Sequence, residues 1–291
     1  MFRQWDLLED HKGQRRNDNI IHMVFFTSRN IIPSTVCNLN CRDCLNFTPY
    51  IKKHITYHWE DMKKDIDLFF NAVDKIFRFQ VSGGEPMLYS RLKDVMEYVD
   101  EHYRGKIVRL ELVTNGTIVP SDELCAYLSQ RDIYVYLDDY RMSCPDGEEI
   151  HRQVYEKFQK FHVNFADNHV EQWMRIYRPD CERQERNEQQ KAELFRRCKN
   201  PYSTIWKGGI SACNYSVYAA KAGLCEEAED DYYDLASYTP EKKKELVEFR
   251  VGYNKKGYVS FCEKCEGYGT INQHWCTPAI QAKEKLYEMD K

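Results

Sequence analysis

Cys37-Asn38-Leu39-Asn40-Cys41-Arg42-Asp43-Cys44 follows directly on the apolar run Ile31-Ile32-Pro33-Ser34-Thr35-Val36 and sets three cysteines at C-x3-C-x2-C spacing. Thiolates this close can hold one cubane iron–sulfur cluster through three of its irons. A cluster held wholly by protein takes four cysteines, so the loop either borrows a distant fourth or leaves one iron open to a small molecule. The second arrangement is the reactive one.

Downstream of this loop the pattern alternates between helix and strand. Trp59, Met62, Ile66, Phe69, Phe70 and Val73 recur at helical spacing, which predicts an amphipathic helix over 59–73. Ile76 to Val81 reads as a strand ending in Ser82-Gly83-Gly84-Glu85-Pro86, where glycine permits close approach. A helix over 91–103 and a strand over 107–113, closed by Thr114-Asn115-Gly116, come next. Ser121 caps another helix, and Ile133, Val135 and Leu137 alternate along a strand that ends in Asp138-Asp139. A weaker helix over 148–158 and a strand over 161–165 complete the series. Upstream, residues 1–30 form a polar lead-in with a basic patch at Lys12, Arg15 and Arg16 and a short strand near 22–26. Strict alternation predicts a parallel sheet with right-handed crossovers. In such a sheet the loops at the carboxyl ends of the strands build the site, and the cysteines, the glycine turn, Asn115 and Asp138 all fall there.

The style of the chain changes after residue 177. Residues 178–197 are charged and weakly periodic, a bridge between two domains. In 198–291, residues 203–206, a Lys207-Gly208-Gly209 turn and residues 210–215 predict one hairpin. Residues 249–251 and 258–261 around Asn254-Lys255-Lys256-Gly257 predict a second. The acidic insertion 225–234 reads as a solvated face, and 278–289 reads as a helix. Cys198, Cys213, Cys262 and Cys265 have the layout of a complete four-thiolate site, and their spacing fits zinc as well as an iron–sulfur cluster.

Composition narrows the function classes. The 291 residues carry a net charge of −4, with no global positive field for nucleic acid and no apolar run long enough for a membrane span. The charged N-terminus lacks the features of a signal peptide, so the twelve cysteines read as metal ligands and thiols of a cytoplasmic protein rather than as disulfides.

The cysteine loop after a strand, together with Gly83-Gly84-Glu85-Pro86 ending a later one, resembles the radical S-adenosylmethionine (SAM) superfamily. The resemblance implies a partial (β/α)6 TIM-type barrel over 1–177 and a [4Fe-4S] cluster on Cys37, Cys41 and Cys44 whose open iron is chelated by SAM. Reduction then cleaves SAM to a 5′-deoxyadenosyl radical that takes hydrogen from carbon. It implies that Gly83, Gly84 and Glu85 bind the methionyl amine, with a helix-capping role as the plainer reading of Glu85. Thr114, Asn115 and Asp138 would contact carboxylate or ribose. Arg175 is a weaker candidate, more simply a surface arginine. The family usually places an aromatic residue before the third cysteine to seat adenine; here Asp43 stands there, and Phe47 or Tyr50 is the candidate substitute. The C-terminal unit resembles a twitch or SPASM extension with an auxiliary [4Fe-4S] cluster on Cys198, Cys213, Cys262 and Cys265. Cys125 and Cys144 read as ordinary thiols. Cys181, Cys225 and Cys276 are left over, with Cys276 a candidate hydrogen-atom donor.

These resemblances imply an oxidoreductase or isomerase that dehydrogenates or epimerises a carbohydrate, an amino sugar or aminocyclitol, or a sugar nucleotide, fed by a donor such as flavodoxin or ferredoxin. A maturase of ribosomally made peptides ranks second, because 36 residues before Cys37 leave no room for a leader-binding module. A non-enzymatic zinc or iron–sulfur protein is third.

Overall fold

The computed structural model describes residues 23–181, 185–250, 256–284 and 286. Five strands, β1 (Phe25–Ile31), β2 (Lys75–Val81), β3 (Ile107–Thr114), β4 (Tyr134–Asp138) and β5 (Phe165–Asn168), are joined by helices α1 (Trp59–Ala72), α2 (Leu92–Tyr103), α3 (Asp122–Gln130) and α4 (Gly147–Lys160). All five pair in parallel with their sequence neighbours. The Ser121 hydroxyl accepts from the Leu124 amide at 3.1 Å and starts α3, as its sequence predicts. Of the strand expected near 22–26, residue 22 lies outside the described residues, residues 23 and 24 precede the strand, and Phe25 and Phe26 open a β1 that runs on to Ile31. The last strand is shifted to 165–168 because α4 and its closing turn take up residues 161–164.

β6 (Trp173–Met174) leaves the sheet and pairs with the distant β10 (Trp275–Cys276). The bridge contains a helix, α5 (Glu188–Arg197), opened by a capping box between Asn187 and Gln190. Beyond it, β7 (Thr204–Trp206) pairs in parallel with β1, and β8 (Gly209–Ser211) and β9 (Tyr232–Asp234) extend the sheet antiparallel. The strand order β5-β4-β3-β2-β1-β7-β8-β9 gives an open sheet with six parallel strands. The first expected hairpin is present as β7–β8 and carries the sheet across the bridge, but its second strand stops at Ser211 rather than 215, because α6 (Asn214–Lys221) takes up residues 214 and 215.

Two expectations fail. Phe249 and Arg250 lie in α7 (Lys243–Arg250), where Leu246 and Phe249 bury one face at i, i+3, and residues 260–263 form a 3-10 turn rather than the return strand of a second hairpin. Residues 278–284 are extended or turned, with no helix, because they pair with the cysteine loop; 287–289 lie outside the described residues.

The sheet has two unlike faces. On one, Phe79 packs against Phe69 and Phe70 of α1, and Phe165 against Tyr155 and Phe158 of α4. Leu110, Leu112, Val135 and Leu137 share that face and are fully buried. Alternation puts Arg78, Gln80, Arg109, Glu111 and Tyr136 on the other. All-parallel strands are usually apolar on both faces; here one face is polar and charged.

Candidate functional site

The cysteine loop and the glycine turn are built against each other at the carboxyl ends of β1 and β2. The Ser82, Gly84 and Glu85 amides donate to the carbonyls of Ile31, Ser34 and Val36 at 3.2, 2.9 and 2.8 Å, so the turn is zipped onto the segment that enters Cys37. A Cβ on Gly84 would lie 2.1 Å from the Val36 carbonyl oxygen, and one on Gly83, at φ +155°, 2.4 Å from that of Ser34. The backbone that these glycines admit is the chain's own. Asn46 Nδ2 donates to the Gly83 carbonyl at 2.5 Å.

Glu85 is 1% exposed and spans from this turn to β3. Its carboxylate accepts from the Met87 amide at 2.9 Å, the Thr114 hydroxyl at 2.8 Å and the Asn115 amide at 2.7 Å. This is the capping arrangement, and it draws Thr114 and Asn115 into one network with Glu85. Burial pushes the Glu85 carboxyl up to about 7. Asn115 Nδ2 in turn donates to Asn38 Oδ1 at 3.0 Å and lies 3.7 Å from Cys37 Sγ. Asp138 accepts from Asn168 Nδ2 at 2.6 Å and from the Tyr140 hydroxyl at 3.4 Å, and burial pushes it up to about 6.

Cys37, Cys41 and Cys44 converge closely enough that Cys44 opposes the ionisation of the other two. Burial above all, with Cys44 adding to it, pushes Cys37 and Cys41 up to about 12. The Leu39 amide donates to Cys37 Sγ at 3.4 Å and Gln281 Nε2 to Cys41 Sγ at 3.3 Å. Buried sulfurs that ionise reluctantly alone yet receive N–H donors suit a cationic iron centre, whose potential such bonds tune. Gln281 belongs to a strap that crosses the loop: Arg42 donates to the Ile280 carbonyl at 2.8 Å, and Ala282 to that of Asn40 at 2.7 Å.

Asp43, in the position where an aromatic residue was expected, has a side chain only 7% exposed and pairs with Arg175, Nε to Oδ1 at 2.6 Å. Arg175 follows β6 and its amide donates to His274, so the pair ties the loop to the β6–β10 ladder. This fixes Arg175 as a loop anchor rather than a surface residue. Phe47 and Tyr50 are buried, both edge-to-face against Tyr177, and Phe47 also packs on Phe261. Cys276 lies on β10 beside Asp43 and Arg175, its thiol directed at the Trp173 carbonyl at 3.6 Å.

Cys198, Cys213, Cys262 and Cys265 come together from the end of α5, the start of α6 and the 260–265 turn, near enough that each of the last three feels the charge of Cys198. Burial comes first in pushing Cys213 up to about 12. Arg186 Nη1 donates to the carbonyls of Cys262, Glu263 and Cys265 at 2.9, 3.0 and 2.9 Å and shapes the C-x2-C turn. Asp231, expected on a solvated face, is 2% exposed and accepts from Ser216 and from the Ser260 amide, which joins α6 to that turn. Among the described residues, Asp139, His151 and Asp167 are the group of ligand atoms lying within 4.8 Å of one another, and the Arg141 guanidinium already fills the cationic position there.

The polar face was missed in the sequence. Arg78 Nε donates to both Glu111 carboxylate oxygens at 2.9 and 3.1 Å, Gln80 Nε2 donates to Oε2 at 2.7 Å, and Arg109 Nε also bonds Glu111. The available signal was Arg78-Phe79-Gln80 and Arg109-Leu110-Glu111, charged residues inside runs that otherwise read as buried strand.

Residues 31–175 match the model of the radical SAM superfamily. Among curated proteins none matches this chain in sequence. The fold is similar to that of native anSMEcpe with bound AdoMet, at TM-score 0.55 and 14% identity over 90% of this chain and 94% of that one. It is also similar to BtrN in complex with AdoMet and 2-DOIA, at TM-score 0.51 and 13% identity over 89% and 96%, and to native anSMEcpe with bound AdoMet and Kp18Cys peptide, at 0.53 and 14% over 82% and 84%. The open, mostly parallel sheet is thus the partial barrel of such enzymes, and no helix among the described residues is long and apolar enough to cross a membrane. Because the family model begins on the last residue of β1 and runs through the cysteine loop, the glycine turn and the strand ends to Arg175, the chain belongs to the radical SAM superfamily, whose enzymes work with a [4Fe-4S] cluster and SAM.

Proposed function

We propose that this enzyme removes a hydrogen atom from a small polar molecule, a carbohydrate, aminocyclitol or sugar nucleotide, and oxidises it. The observation that carries this reading is the polar sheet face formed by Arg78, Gln80, Arg109 and Glu111 on β2 and β3, the strands whose carboxyl ends carry the glycine turn and Asn115. Such a face suits a substrate rich in hydroxyl or charged groups. Cys37, Cys41 and Cys44 would hold the [4Fe-4S] cluster, which with SAM would supply a 5′-deoxyadenosyl radical. The residues around it hold the loop in place through the Asp43–Arg175 pair and the Gln281 strap, and Asn115 links the loop to Glu85. Cys198, Cys213, Cys262 and Cys265, in the C-terminal unit over 198–291, would hold an auxiliary [4Fe-4S] cluster able to accept the second electron, which favours dehydrogenation. In that reading Cys276 is a structural thiol rather than a hydrogen donor, and a flavodoxin or ferredoxin supplies the reducing electron.

The reading is tested by anaerobic reconstitution and by deuterated candidate substrates. Two cubane clusters give about eight irons per chain, and Cys213→Ser with Cys262→Ser should leave about four. Deuterium should pass from the substrate carbon into 5′-deoxyadenosine. Zinc in place of iron, with no 5′-deoxyadenosine formed from SAM and reductant, would refute the enzyme assignment; solvent deuterium in the product would move the reaction to epimerisation and bring Cys276 back as donor.

A further inference from the structure

Two guanidinium groups on the polar face share a single carboxylate. Glu111 is fully buried and takes Arg78 Nε, Arg109 Nε and Gln80 Nε2, so its acceptors are saturated. Arg109 Nη2 donates to the Tyr136 hydroxyl at 3.2 Å, and the Arg109 guanidinium lies 4.6 Å from the Tyr134 ring centroid and 6.0 Å from that of Phe77. The Arg78 guanidinium sits 5.3 Å over the Tyr136 ring. Among the described residues, the Arg78 terminal amines and Arg109 Nη1 have no hydrogen-bond acceptor, and they are not sealed off: the two side chains are 17% and 34% exposed. Phe77 beside them is 45% exposed. The result is a patch with one positive charge in excess, N–H donors pointing outward and aromatic walls. Arginine presents these donors as a fork that fits carboxylate and phosphate oxygens.

Resting on the reading above that the polar face receives the substrate, we infer that the Arg78–Arg109 pair binds an anionic group of that substrate, a phosphate or a carboxylate. Arg78 stands four residues before Ser82 and Arg109 five before Thr114, so at about 3.3 Å per residue the anion sits roughly 13–17 Å below the glycine turn. The substrate is therefore a molecule with its negative group about that far from the carbon that loses hydrogen.

The test is calorimetric titration of the reconstituted, SAM-saturated protein with inorganic phosphate and, separately, with acetate. Saturable binding is expected. Arg109→Gln, which leaves the Arg78–Glu111 pair intact, should weaken it at least tenfold, and Glu111→Gln, which removes the competing charge, should tighten it about tenfold. Opposite signs cannot come from misfolding, and unchanged SAM affinity in both variants checks that the turn is intact. Tighter phosphate than acetate points to a phosphorylated substrate, the reverse to a carboxylate. No saturable binding of either probe, or the same affinity in both variants, overturns the inference. Formation of 5′-deoxyadenosine in the same preparations separates the two readings: if it proceeds without anion binding, only the anion site is wrong, and if it is absent while the isotherms stand, the radical chemistry is wrong.

Discussion

Replacing Gly84 by alanine would put a methyl carbon where the chain has no room. Its Cβ would meet the Val36 oxygen at 2.1 Å, the Val36 carbon at 2.5 Å and the Thr35 oxygen at 2.6 Å, all backbone atoms, where ordinary contact begins at 3.4 Å. The two segments would have to part by about 1.3 Å, the difference between those distances, an overpacking that costs about 1–3 kcal/mol. That parting carries the Gly84–Ser34 and Glu85–Val36 hydrogen bonds, now 2.9 and 2.8 Å, beyond bonding distance. Each lost bond costs about 0.5–1.5 kcal/mol, so the total is about 4 kcal/mol. At about 2.1 cal/mol/K per residue the unfolding entropy of the 291-residue chain is about 0.6 kcal/mol/K, giving a loss of about 7 °C in Tm. Gly105→Ala is the control, because nothing lies within 4 Å of its Cβ, and it should be neutral or slightly stabilising. The assay is thermal unfolding of the cluster-free protein, followed by iron counting after reconstitution. If Gly84→Ala melts with the wild type and takes up the same iron, the close approach of turn and loop is not what the glycines serve.

Arg175→Ala strips Asp43 of its 2.6 Å partner and leaves a nearly buried carboxylate to the more exposed Arg42; a loss of about 3 kcal/mol is expected, read as lower Tm and weaker iron retention, with Arg175→Lys intermediate. Gln281→Leu removes an N–H donor to Cys41 and should lower the midpoint potential of the SAM-binding cluster by about 20–60 mV, the equivalent of ~0.5–1.5 kcal/mol, in a titration followed by electron paramagnetic resonance. Asp138, raised to about 6 from an ordinary 3.8, keeps its proton longer in the folded than in the unfolded chain. Stability of the SAM-free protein should therefore fall as pH rises from about 4 to 6, by on the order of 3 kcal/mol, and level off above. Asp138→Asn should flatten that part of the profile in denaturant titrations; an unchanged slope would place the proton elsewhere.

Much of this was legible in the linear chain because it rests on local rules. The C-x3-C-x2-C spacing, the strand–helix alternation and the Ser121 cap are each set within a few residues, and the Asn187–Gln190 capping box was legible on the same terms though overlooked. What sequence misjudged were residues whose role depends on a distant neighbour. Asp43 breaks the aromatic pattern because Arg175, on the far side of the barrel sequence, neutralises it. Asp231 sits in an acidic run yet is buried, since Ser216 and the Ser260 amide reach it from two other elements.

The amino-acid order alone determined the cluster-binding loop, the glycine turn and a parallel sheet, since spacing and periodicity report what a short piece of backbone can do. Only the tertiary structure decided that Gly83 and Gly84 make room for Ser34 and Val36, that residues 204–206 supply the sixth parallel strand, and that Arg78 and Arg109 meet one Glu111. Those outcomes depend on which remote segments share space, and that is fixed by packing and by the pairing of buried polar groups rather than by any local pattern.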